Sequence, residues 1–141
     1  MVDLDRVRSN LSSDNVSQMV QTALSILDDV EQFLASEPGG LPLGWEESVS
    51  TRVSDIRDRL KTAVSNGQTE SFLTQMRRAL KLEDDLVAIH ESDEYPAIGK
   101  ILIDAGALRG LYVDCIQNST DKSGYLSAEA SGILAEALLS L

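Results

Sequence analysis

The amino-acid sequence predicts an all-α protein: a single-domain, up-and-down bundle of four to five helices over residues 1–141. Three observations predict it. Apolar residues recur three and four apart through most of the chain, the spacing of a helix face. Prolines and clustered glycines fall between those periodic stretches, with one exception. The 141 residues, 43% hydrophobic and 25% charged, can bury a core yet suit only one domain.

After a short lead-in, Ser12, Ser13 and Asp14 offer N-caps for a helix over 14–36. Its seam is Val16, Val20, Ala23, Leu27, Val30 and Leu34, broadened by Met19, Leu24, Ile26 and Phe33. "EPGGLPLG" at 37–44 ends it, because proline lacks the amide donor and glycine lacks helix propensity. Leu41 and Leu43 are expected to fold back over the core.

From Trp45 the period resumes at Val49, Val53, Ile56, Leu60 and Ala63, and Asn66-Gly67 supplies a left-handed stop. Thr69 is expected to cap the next helix, with Phe72, Leu73, Met76, Ala79, Leu80, Leu86, Val87 and Ile89 on its apolar face. "HESDEYP" at 90–96 breaks the pattern, and Pro96 suits the first turn of a further helix. A last helix at about 127–140 has Ser127 as cap and Ala130, Ile133, Leu134, Ala137 and Leu138 as its face.

The exception is 96–117. A hairpin would use "KILI" and "LYV" as strands. A helix accounts for more residues, because Ile98, Ile101, Ala105, Leu108, Tyr112 and Cys115 keep the 3,4 step. On that helix a second stripe holds Gly99, Ile103, Gly106, Gly110 and Val113. Three interior glycines cost about 2–3 kcal/mol relative to alanine. Close approach of another helix would compensate, which makes this the expected central helix with a close-packing stripe at Gly99, Ile103, Gly106 and Gly110. A neighbour within the bundle, a docked copy or partner, and a functional kink are the three readings of that stripe.

Composition narrows the function classes. The net charge of −11, from 12 basic and 23 acidic residues, opposes direct contact with nucleic acid or an anionic membrane. Aromatics at 4% leave few base-stacking platforms. Cys115 is alone, so no internal disulfide forms and a reducing, cytoplasmic setting is expected. "MVDLDRVRSN" does not resemble a secretory signal, and the most apolar stretch, 95–116, is broken by Lys100, Asp104, Arg109 and Asp114.

Motifs for chemistry are scarce. His90 is the only histidine, which rules out a multi-histidine metal cage, and GxSxG, GxGxxG and the phosphate-binding loop are absent. No catalytic, cofactor-binding or metal-binding residue is predicted. Residues 119–130, "STDKSGYLSAEA", partly match a calcium loop with Gly124 at its sixth place. However, Ser119 replaces the first aspartate and Ala130 the bidentate glutamate, so a plain helix connection is expected. The acidic groups Asp28-Asp29-Glu31, Glu46-Glu47, Glu83-Asp84-Asp85 and Glu91-Asp93-Glu94 are expected to be solvated faces.

Charge is unevenly distributed: −7 over residues 1–51, +4 over 52–81 and −8 over 82–141. Within the basic band, Asp55–Arg59 and Lys81–Asp85 are spaced for local helix pairs. The leading expectation is a non-enzymatic acidic interaction module engaging a basic protein partner through Glu83, Asp84, Asp85, Glu91, Asp93 and Glu94. It would act in the manner of an inhibitor, an immunity protein or a nucleic-acid mimic. The alternative is a structural subunit of a homo-oligomer or larger assembly, joined through the glycine stripe and the "LPLGW" loop.

Overall fold

Helices start and stop in this chain where particular residues make them do so. A computed structural model describes residues 4–36, 41–87, 96–117, 119–120 and 126–141. Six helices run through them: α1 (Leu4–Asn10), α2 (Ser13–Ala35), α3 (Trp45–Asn66), α4 (Thr69–Val87), α5 (Pro96–Gln117) and α6 (Ala128–Leu139). The protein is an all-α bundle, with one more helix than the sequence pattern predicts. The extra element is α1, whose Val7 is buried and which leads directly into the buried Leu11. Residues 96–117 are helical, so the hairpin alternative is wrong. Among the described residues the one β-type pairing is an isolated bridge between Thr120 and Leu126.

Caps explain most of the boundaries. Ser12 Oγ accepts from the Asn15 amide at 3.3 Å, and Ser127 Oγ accepts from Ala130 at 3.2 Å. Gly67 ends α3 at φ +64°, where a side chain would be strained. Thr69 is not the expected cap: it lies inside the first turn of α4, and its hydroxyl meets Ser131 Oγ of α6 at 3.0 Å.

One apolar cluster draws on every helix, including Val7, Phe33, Ile56, Phe72, Ile101 and Leu134. On α3 the buried set is Val49, Val53, Ile56, Leu60 and Ala63, matching the predicted stripe. On α2 the face is turned slightly: Met19, Ile26 and Phe33 are buried, whereas Val20 and Leu34 are only partly so. Leu43 does not fold back; it is fully exposed, in a loop that turns at Gly44 with φ +77°. The α2–α5 contact is the most extensive pairing, and α4 covers another side of α5. Among the described residues no helix is long and apolar enough to cross a membrane.

Candidate interaction surface

At 3.6 residues per turn, α5 places Ile98, Ile101, Ala105, Leu108 and Cys115 on one side, and all five are buried. The opposite side carries Gly99, Ile103, Gly106, Gly110 and Val113. This side faces outward: Ile103 is 74% exposed and Val113 44%. A Cβ placed on Gly99, Gly106 or Gly110 would meet nothing within 4 Å. The stripe is real, but among the described residues no helix lies on it, which corrects the expectation of a close-packed neighbour inside the bundle. Lys100 and Asp114, both exposed, stand near the two ends of this face along one edge, and the half-exposed Arg109 borders the other edge.

Polar contacts fasten the flanks of α5. Toward α4, Arg109 donates to Glu83 at 3.2 Å and Arg77 donates to the Tyr112 hydroxyl at 2.9 Å. Toward α2, Ser25 donates to Asp104 at 2.9 Å. Beside that contact Asp29 is almost wholly enclosed, with Lys100 Nζ at 3.9 Å. Burial, then hydrogen bonding and charge repulsion from Asp104, push the Asp29 carboxyl up to about 7. Its Oδ2 is buried and has no hydrogen-bond donor.

Of the three described residues of the expected acidic surface, two are engaged by cations of this chain. Glu83 is buried against Arg109, and Asp85 takes Arg52 at 2.8 Å and Lys81 at 3.3 Å. Only Asp84 of that trio is exposed. Glu91, Asp93 and Glu94, together with His90, lie outside the described residues. Burial, followed by Asp84, raises the Glu83 carboxyl, and Arg109 only partly opposes the shift. For Asp85, burial works upward, but the bonds from Arg52 and Lys81 outweigh it and hold the group low.

The basic band neutralises its neighbours. Arg57 reaches from α3 to both Asp28 and Glu31 on α2. Asp55 collects Arg78 at 2.7 Å and Arg59 at 3.0 Å, and those hydrogen bonds hold its carboxyl below the ordinary range. The local pairs Asp55–Arg59 and Lys81–Asp85 both form.

Neither buried acid fits the expectation that the acidic residues are solvated faces, and their spacing carried the signal. Asp29 sits three after Ile26 and four before Phe33; Glu83 sits four after Ala79 and three before Leu86. Both occupy core positions of the helical period.

Cys115 is buried, and desolvation raises its thiol to about 12, so no reactive thiolate forms near neutral pH. Among the described residues no three His, Cys, Asp or Glu side chains gather to hold a metal ion. In the calcium-loop segment Ser119 is buried and Ser127 is occupied as a helix cap, while 121–125 lie outside the described residues. A groove of about 440 Å³ between α2 and α3 has Val20, Leu24, Leu60 and Val64 in its wall, but Arg57 at its edge is already paired. No family model, no curated protein and no solved structure matches this chain.

Proposed function

We propose that the protein is a cytoplasmic, non-enzymatic subunit that assembles with further copies of itself through the outer face of α5. The carrying observation is Ile103, 74% exposed on a helix face with open space at three glycines. Its neighbours make the face self-complementary. Ile103 and Gly110 lie two turns apart, a projection and a hollow. An antiparallel pair about a two-fold axis near Gly106 sets each Ile103 on Gly110 of the second copy. The same axis brings Lys100 close to Asp114 of the second copy, so opposite charges meet at both ends.

The stripe from Gly99 to Val113 is about 21 Å long at 1.5 Å per residue. One helix face buries less than the ~800 Å² per partner of a standard interface, so the pairing is weak and concentration-dependent.

Sedimentation across protein concentration and salt tests the reading. Each copy carries −11, so screening should tighten the pair as salt rises. Gly106→Leu and Ile103→Glu should each abolish association while leaving helix content unchanged. A strict monomer at every concentration and salt level rejects the assembly. The second reading, a basic partner held by the net charge, has the opposite salt dependence, since its complex would weaken as salt rises. The exposed Asp84 supports it, and the internal use of Glu83 and Asp85 counts against it.

A further inference from the structure

We infer that Asp29 on α2 is protonated and donates to Asp104 on α5, and that losing this proton as pH rises loosens α5 from α2. This inference is independent of the assembly reading, because every atom in it belongs to the α2–α5 seam of one chain.

The geometry carries the argument. Asp29 is 3% exposed in the most extensive helix contact of the fold; it lies one turn from Ser25, which donates to Asp104, and beside Lys100, one turn before Asp104. Two ionised carboxylates cannot share such a place cheaply, because burial removes the water that would screen them. The surroundings do not supply enough donors. Ser25 spends its hydroxyl on Asp104, Lys100 stands 3.9 Å from Asp29 Oδ1, and Asp29 Oδ2 is buried without a donor. A proton on Asp29 satisfies both: it becomes the missing donor and removes one charge.

The other facing groups leave that need in place. On α2, Asp28 adds repulsion. From α3, Arg57 is engaged by Asp28 and Glu31. From α4, Glu83 is turned to Arg109 and Asp85 to Arg52 and Lys81. With the proton in place, the pair and Lys100 are together neutral. Without it, a buried net negative charge remains between the helices, offset only by Lys100.

The folded-state affinity for the proton exceeds that of the unfolded chain, where an aspartate titrates near ~3.9. Stability from this site is therefore complete below that value, and it is lost as pH rises through the folded-state value near 7.

The test follows the aspartate carboxyl carbons of the full chain by NMR from about pH 4 to about pH 9, with thermal melts over the same range. Asp29 is expected to inflect near neutrality, and the wild-type melting midpoint to fall across that inflection. Asp29→Asn should hold a level midpoint there, since its amide carries no titrating proton. Asp104→Asn should move the Asp29 inflection downward. An Asp29 inflection in the ordinary carboxylate range overturns the proposal, and so does a wild-type midpoint level through neutrality. An inflection unmoved by Asp104→Asn overturns the pairing of Asp29 with Asp104. The wild-type titration decides the matter even if a variant fails to fold.

Discussion

Glu83 on α4 and Arg109 on α5 meet at 3.2 Å, with the Glu83 side chain 11% exposed and the guanidinium about half in solvent. The pair therefore locks two helices, and an acid expected on the surface becomes internal. Removing Arg109 leaves a buried carboxylate without its cation. Arg109→Met is expected to lower stability by about 1–2 kcal/mol, below the full penalty for a buried pair because the cation is half screened. Glu83 is already raised above its usual value, so the loss should be largest at neutral and alkaline pH and shrink where Glu83 is protonated. Urea unfolding of the variant at mildly acidic and mildly alkaline pH checks this, and equal stability to the parent at both contradicts it.

Alanine at Gly99, Gly106 or Gly110 should stabilise the monomer by up to about 1 kcal/mol each. The added methyl meets open space, the backbone is already helical, and the unfolded chain loses freedom. Melts of dilute protein should show a rise for each variant. A fall at Gly106 would mean that something within the chain packs on the stripe.

At the acid end the sign reverses. Asp55 is held low by Arg78 and then Arg59; Asp85 is held low by Arg52 and Lys81 despite its burial. A depressed folded-state value contributes stability above the unfolded value of ~3.9 and loses it as pH falls through the folded value. The melting midpoint should therefore drop below about pH 4, and less steeply in Arg78→Met, where Asp55 titrates nearer its ordinary range. Identical acid limbs in parent and variant would remove Arg78 from the account.

How much of this was legible depended on how sharply each helix separates its two faces. On α3 the five apolar residues lie among charged ones, so Val49 to Ala63 named their own burial. On α5 both sides are apolar or small, so spacing identified two stripes without indicating which one faces inward. Ile98 and Ile103 are equally apolar, yet one is buried and the other 74% exposed. Tertiary packing against α2 and α4 made that choice. At seven residues, α1 offers one period, Val7 to Leu11, too short to stand out. Glu83 and Asp29 were hidden differently: their chemistry signalled solvent and their positions signalled core. Position prevailed at Glu83 because Arg109 supplies its partner.

The start of α2 separates two adjacent serines that composition cannot tell apart. Ser12 is extended, at φ −61° and ψ 156°; its oxygen accepts from the Asn15 amide and its carbonyl accepts from Val16 at 2.9 Å. Ser13 is already helical, and its hydroxyl only meets Ser140 Oγ at an exposed position. Ser12→Ala should therefore cost about 1 kcal/mol, because an amide that no helix carbonyl can satisfy loses its acceptor. Ser12→Gly should cost only a few tenths, since glycine leaves the amides open to water. Ser13→Ala should be close to neutral, as alanine favours the helix and the lost bond is solvated. Paired chemical-denaturation curves for the three variants give the order directly. If Ser13→Ala proves the costlier change, the helix starts one residue later than Ser12 places it.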